Sequence, residues 1–439
     1  MRLPPGPRII PSAIQTLAWC FWPYELLSFC DRKYGDVFTV KLVGDRTYVV
    51  FSHPDPIRDT FAGLGSPDAL GIGNEELRPM LGDNSLFLLD GDRHRQHRQH
   101  ISPTFRPKSL PCFGALNAGI VAAAVQGLKP GDTVPVMPLA RGIGVSFIVS
   151  VVFGLRTGPR FEAMREAVHH LITIVNGPLV YFALLQHDLG KWSPGGRVWR
   201  ARAALLNIID KEIAERRREP LEDANLLDAL VVAEDDKGHP LSNDEIRDEL
   251  LTVLLAGHDP TTAAAAWALY WIHKDASILE RLRAEVESSS PEPESTVALP
   301  YLDAVCQETL RLYPIVPAVE RIARVPVHIL GYDLPVGVHL TPCIYLTHHR
   351  PDIYPQPQRF RPERFLERTY TPYEYLPFGG GTRRCIGAHF APYQIKLVLA
   401  SLMRSFRFEL VDNGTIRPIQ KGATIAPSAK LALHITDSA

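Results

Sequence analysis

The sequence predicts a mainly α-helical protein with a minor β region. Three observations carry this: β-like runs are few and short, helical patterns fill the middle of the chain, and one long helix has a marked start. Near the N-terminus, Val37-Phe38-Thr39-Val40 and Thr47-Tyr48-Val49-Val50-Phe51 are separated by turn residues and read as a small sheet. From about Arg106 to Asp275 the patterns are mainly helical, and Glu212 to Arg218 reads as a charged helix face with no functional demand. The clearest helix begins at Ser242, where Ser-x-x-Glu with Glu245 forms a capping box, and continues through Leu250, Leu254 and Ala263 to Trp271. About 30 residues at roughly 1.5 Å each cross an entire globule. After Tyr313 the chain turns β-like and proline-rich, then becomes helical again from Cys385 to Phe406.

The chain has 439 residues, more than the usual domain of about 100–200. Its one linker-like stretch, Ser288 to Ser295, lies between helical patterns and reads as a surface loop, so a single unit over 1–439 is expected. With 46% apolar residues and a net charge of −1, global electrostatics favours neither nucleic acid nor an anionic membrane, and partners must be sought in local patches. Six cysteines, at 20, 30, 112, 306, 343 and 385, form no CxxC pair and follow no secretory signal, which points to a reducing cytoplasm. The apolar stretches Ile143 to Leu155 and Leu171 to Leu185, the latter broken by Asn176-Gly177-Pro178, fall short of the roughly 20 residues a bilayer requires. No transmembrane anchor is expected.

The run from Phe378 to Gly387, Phe-Gly-Gly-Gly-Thr-Arg-Arg-Cys-Ile-Gly, places one cysteine in a glycine-rich, arginine-flanked loop before a helical pattern. Glycines let backbone N–H groups approach sulfur, and cations neutralise ligand and carboxylate charge, so the loop suits a haem thiolate. It resembles the Phe-x-x-Gly-x-Arg-x-Cys-x-Gly signature of the cytochrome P450 family, with all five fixed residues present. The resemblance extends from the proline-rich start to the C-terminal sheet. It implies that family's helical fold with a small sheet region, haem b as cofactor, and Cys385 as the iron ligand.

Further residues acquire roles through the resemblance. Phe378, Gly379, Arg383 and Gly387 belong to the cofactor loop. In Asp90-Gly91-Asp92-Arg93-His94-Arg95-Gln96-His97-Arg98, the i, i+4 spacing of His94 and Arg98 puts both on one helical face able to grip a carboxylate. The family uses this pair for the haem propionates, as it uses the counterparts of Arg321 and Arg383. Glu308-Thr309-Leu310-Arg311 matches the Glu-x-x-Arg helix, and Arg364 matches the arginine that completes a supporting cluster.

Ala256-Gly257-His258-Asp259-Pro260-Thr261-Thr262 resembles the oxygen-activating segment, with Ala256 against the haem and Asp259 and Thr261 as acid and alcohol. Pro260 stands where the family has threonine, and a proline should open or kink the helix near Ala256. Two readings remain: a local bulge lets Thr261 serve as the alcohol, or proton delivery is altered and the enzyme is peroxide-using or oxygen-independent.

The implied activity is a monooxygenase that hydroxylates or epoxidises a lipophilic small molecule. No segment matches a nicotinamide or flavin site, so electrons would come from a ferredoxin or flavodoxin with its reductase, docking on a basic surface that includes Arg93, Arg95, Arg106 and Lys108. A monomer is expected. A dinucleotide fold fails on glycine spacing, and zinc hydrolysis fails because His169-His170 and His348-His349 match no ligand motif. A non-catalytic haem sensor is the other class, and it would not need the Ala256 to Thr262 segment. By analogy the pocket draws on Leu86 to Leu88, Leu255, Ala256, Ile315 to Val319 and Thr424-Ile425, with about half of these in the core. Leu184 to Arg197 is a candidate access lid.

Overall fold

The computed structural model describes residues 3–64, 69–175, 181–219, 225–421 and 424–438. It is 56% helical and 12% strand, as the sequence predicts. The helices used below are α1 (Ser12–Phe21), α2 (Pro23–Tyr34), α3 (Pro54–Phe61), α4 (Gly91–Ile101), α5 (Gly114–Val125), α6 (Val136–Phe153), α7 (Pro159–Ile174), α8 (Pro194–Arg218), α9 (Asn243–Lys274), α10 (Ala276–Ser288), α11 (Pro300–Leu312) and α12 (Phe390–Ser405).

The N-terminal runs form β1 (Val37–Leu42) and β2 (Arg46–Phe51), paired antiparallel with Val37 opposite Phe51. Strand β8 (His339–Pro342) joins β2 in parallel, then β5 (Arg321–Ala323) and β3 (Leu70–Gly71) complete a five-stranded sheet in the order β1-β2-β8-β5-β3. This sheet delivers Arg321 to the site. Near the C-terminus, β10 (Pro418–Lys421) and β11 (Thr424–Pro427) form a hairpin that packs on α9.

Helix α9 is the axle of the molecule. Ser242 Oγ accepts from Glu245 N at 3.2 Å while Glu245 Oε2 accepts from Ser242 N at 2.9 Å, the predicted capping box. From there 32 residues run to Lys274 as one helix, so Pro260, expected to open or kink it, does not end it. The reason is packing. Pro260 still removes the N–H that would reach Ala256, but α6 and α12 lie along α9, and its flanks are buried from Asp248 to Thr252 and from Thr261 to Tyr270. Aromatic stacks anchor the C-terminal half, Trp267 on Tyr313 at 3.9 Å and Trp271 on Phe360 at 5.2 Å.

Two sequence expectations change. The charged Glu212 to Arg218 face is partly an interhelical bridge: Arg160 of α7 pairs with Glu212 and Glu215, while buried Arg216 donates to Phe153 O at 2.9 Å and pairs with Asp228. Charged residues spaced for a helix surface do not reveal which neighbour covers them. Secondly, Pro107–Val125 and Val136–Phe153 do have the length and composition of a span. The second is mostly buried against α9 and is a core helix, and the first is a 3-10 turn leading into α5, which packs on α12. Asn176-Gly177-Pro178 lies outside the described residues.

Candidate functional site

The loop before α12 is held by its own backbone. Cys385 N donates to Phe378 O at 3.0 Å and Arg384 N to Gly381 O at 3.1 Å, with Gly379 and Gly381 at φ +64° and +68°. A Cβ on Gly380 would come within 2.3 Å of the Phe61 ring, and one on Gly381 within 2.5 Å of Phe61 O. Glycine is therefore required for the loop to lie against α3. The result is an accessible cysteine at a fixed position. Burial of the surroundings raises the Cys385 pKa, while the Gly387 N–H, Arg98 and Arg384 act in the opposite direction.

Helix α4 and β5 bring cations to this loop. Arg98 Nη2 donates to Arg384 O at 2.6 Å, bracing the segment next to the cysteine. Arg383 reaches back to the carbonyls of Leu86 and Leu89 and pairs with Asp90 at 2.9 Å; Asp90 also holds Arg324 at 2.5 Å. Burial lowers the pKa of Arg321 to about 10, with Arg383 adding to the effect, and lowers His94 to about 4, with Arg383 and Arg98 adding. Arg321 Nη1 donates to Glu320 O at 2.7 Å. Arg98, Arg321, Arg324 and Arg383 thus gather here with the carboxylates of Asp90 and Glu320 to balance them, and His94 beside them is neutral. That surplus fits a ligand carrying carboxylates, and the accessible thiol beside it fits a metal in the same ligand, as haem requires.

Behind the loop, Glu308 is buried and forms the predicted cluster. It accepts from Arg311 at 2.6 and 2.9 Å, from Arg364 Nε at 3.0 Å and from Arg361 N at 2.7 Å. His348 extends the cluster. Its Nδ1 faces Arg311 O at 3.2 Å and its Nε2 accepts from Leu376 N at 2.9 Å, which assigns a neutral ring protonated on Nδ1. Burial and Arg311 hold its pKa well below the usual value. His348 ties the cluster to the chain two residues before Phe378, a link its sequence context did not reveal, and it is a satisfied core histidine.

The middle of α9 is where an otherwise buried helix becomes accessible: Leu255, Ala256, Asp259 and Pro260 are half-buried. Thr261 Oγ1 turns back to Gly257 O at 3.4 Å, and Thr261 lines a cleft of about 230 Å³ with Gly144, Thr262 and Gln394. Asp259 instead meets Thr424 Oγ1 of β11 at 2.5 Å, with Arg141 at 3.8 Å on its other oxygen. The hydroxyl against the acid therefore comes from the C-terminal hairpin. Ile425 N next to it donates to Ile315 O at 2.9 Å, so β11 connects α9 to the segment leading to Arg321.

Of the expected pocket wall, Leu86, Leu88, Ile315 and Ile425 are core, whereas Phe87, Leu255, Ala256 and Val319 keep accessible surface. A separate cleft of about 440 Å³ is lined by Glu76, Met80, Gln186, Trp199 and Arg202 among others and includes none of the cysteine-loop residues. Sequence reading also missed the buried pair His97 Nδ1–Glu249 Oε1 at 2.8 Å, which locks α4 to α9. His97 stood in the quoted α4 motif, three residues after His94, but Glu249 lies 152 positions away.

An accessible cysteine on a rigid glycine loop, a cationic cluster beside it and a buried Glu-Arg-Arg brace define a haem-thiolate oxidoreductase. Residues 4–434 match the family model described as Cytochrome P450, and the chain belongs to that family. It is 34% identical over 430 residues to a Mycobacterium tuberculosis protein carrying the name cytochrome P450 135B1, covering 97% of this chain and 90% of that one. It is 30% identical to one carrying the name cytochrome P450 138 from the same organism, covering 97% and 95%. The solved structure of retinoic acid bound cyanobacterial CYP120A1 superposes with a TM-score of 0.88 at 26% identity, over 100% of both chains. The protein is a monooxygenase of this family.

Proposed function

We propose that the protein inserts one oxygen atom from dioxygen into a lipophilic small molecule, with electrons from a separate ferredoxin or flavodoxin. The observation that carries this is Cys385, accessible at the end of a loop fixed by Phe61 and Arg98, beside basic groups lacking enough carboxylates. Cys385 would hold the iron, with Phe378, Gly379 and Gly387 shaping its loop. His94, Arg98, Arg321 and Arg383 would hold the propionates. When bound, haem supplies activation of dioxygen, which thiolate ligation favours.

The chain's own part is positioning and proton supply. Ala256 leaves room on the accessible face of α9. Asp259 is the acid, kept oriented by Arg141, and Thr424 is the hydroxyl through which its proton passes. Thr261, whose hydroxyl lies 3.4 Å from Gly257 O, is the second candidate hydroxyl for this step. Phe87, Leu255 and Val319 offer an apolar wall that rewards burial of a lipophilic substrate at about 25 cal/mol per Å².

One observation favours the peroxide-using alternative: the alcohol that follows the acid along the helix is replaced by Pro260. Titration of the ferric protein with fatty acids, terpenes, steroids, aromatic polyketides and a retinoid, the last because the similar CYP120A1 structure is retinoic acid bound, tests the substrate class through the Soret shift. Turnover of the best ligand with reductase and with peroxide then separates the readings. Turnover only with reductase supports the proposal, and turnover only with peroxide contradicts it.

A further inference from the structure

Two adjacent carboxylates are buried on one turn of α9, Asp248 at 5% and Glu249 at 0% exposure. Carboxylates are seldom buried without dedicated partners, and here the partners are His97 and one short piece of chain before α4. Asp248 Oδ2 accepts from Asn84 N at 3.1 Å and from Asn84 Nδ2 at 3.0 Å, while Glu249 Oε2 accepts from Leu86 N at 3.3 Å and its other oxygen meets His97. Gly82, at φ +88°, is pressed against the same acid: a Cβ there would come within 2.2 Å of Asp248 Oδ1. One turn further along α9, Thr252 Oγ1 donates to Asp248 O at 2.6 Å and lies 2.7 Å from Ser85 Oγ, which accepts from Phe87 N at 3.3 Å.

The cysteine loop holds the other side of this piece. Arg383, two residues before Cys385, donates to Leu86 O at 3.5 Å and to Leu89 O, and Asn74 Nδ2 donates to Phe87 O at 3.4 Å. Leu88 N and Leu89 N turn back to Ser85 O at 2.8 and 3.1 Å. The N–H groups of Asn84 and of Leu86 to Leu89 therefore all find acceptors within the protein, in a connecting segment of the kind that commonly gives them to water. Phe87 is what this framework presents. It is 39% exposed between Leu86 at 8% and Leu88 at 5%. Its backbone lies between the Arg383 contacts on the cysteine-loop side and the Thr252 contact on α9, one turn before accessible Leu255 and Ala256.

We propose that Asp248, Glu249 and Thr252 are positioning residues that hold Phe87 over the space between the cysteine loop and α9, and so set which part of a lipophilic substrate reaches the reacting position. The inference rests on the reading of Phe87 as pocket wall. A ring held to within about 0.5 Å discriminates between substrate poses that a loose one admits. Loosening the α9 side lets the ring withdraw without removing it.

Titration of the haem-loaded full chain with imidazole and with 4-phenylimidazole tests this whatever the substrate, because both coordinate iron and only the second carries a ring to meet the wall. The quantity read is the ratio of the two affinities. Phe87→Ala should change it about tenfold by removing apolar contact. Thr252→Val and Asp248→Ala should each shift it about threefold or more in the parent, and by less than about twofold in the Phe87→Ala background, since a residue acting through the ring has nothing to act through once the ring is gone. Asp248→Asn, which keeps an acceptor for Asn84 N, should behave as the parent. Thr252→Val is the milder change and carries the test if Asp248→Ala does not fold. A merely structural role would instead lower the melting temperature and move both affinities together in either background. A ratio that responds to Phe87→Ala but not to the α9 variants, or that responds to them equally in both backgrounds, overturns the positioning role. No response to Phe87→Ala places the ring outside the wall and overturns the wall reading together with this inference.

Discussion

Thr424 Oγ1 lies 2.5 Å from Asp259 Oδ2, so a hydroxyl from the C-terminal hairpin occupies the partner position beside the acid of α9. In a chain with Pro260 after that acid, this contact replaces a neighbour along the helix with one 165 residues away. Thr424→Val should lower product formed per reduced nicotinamide consumed by about tenfold or more, with the substrate-induced Soret shift retained. Thr424→Ser should restore coupling. Thr261→Ala should cost much less, and stopped-turnover assays of product and peroxide on the three variants distinguish these outcomes.

The buried Glu308 cluster predicts a stability effect. Glu308→Ala leaves Arg311 and Arg364, both almost fully buried, without their carboxylate, and breaking such a pair costs about 3–5 kcal/mol. Thermal melts should show this loss together with a lower Soret-to-protein absorbance ratio, since the same cluster supports the loop through His348.

Arg321 predicts effects of opposite sign in the two states of the protein. Its guanidinium is buried beside Arg383 and has its pKa lowered to about 10, so replacing it with an apolar side chain of similar length relieves repulsion. Arg321→Met should melt at the same or higher temperature than the parent as apoprotein, yet release haem faster to an apoglobin acceptor. Slower or equal release would remove Arg321 from the propionate partners.

His348 predicts acid sensitivity. Its folded-state pKa is below the ordinary 6.5, so below about that pH the unfolded chain binds a proton that the folded chain excludes. Stability is then fully present above the unfolded pKa and falls as pH falls. Protonation would also turn the acceptor facing Leu376 N into a donor. Apoprotein melts between neutral and mildly acidic pH should show this decline, with a shallower slope for His348→Gln.

Features coded by neighbouring residues were legible before folding. The Ser242–Glu245 box, the paired strands β1 and β2, the Glu308–Arg311 spacing and the cysteine loop each declare themselves within 15 residues of chain. What stayed hidden is tertiary. Glu249 under His97, Thr424 against Asp259 and Arg160 over Glu212 join positions 52 to 165 apart, and no local pattern pairs them. Pro260 shows the reverse case: a local rule predicts an opened or kinked helix, and packing by α6 and α12 keeps the helix continuous through it.

The central claim is that Cys385 holds the haem iron as thiolate. Optical and electron paramagnetic resonance spectra of the parent and Cys385→Ser, in the ferric and the ferrous carbon monoxide states, test it most directly. The account predicts a thiolate-ligated spectrum in the parent, with its red-shifted carbon monoxide Soret band, and its complete loss in the variant. A variant that keeps the parent's spectrum, or a parent that binds haem without thiolate character, would contradict it.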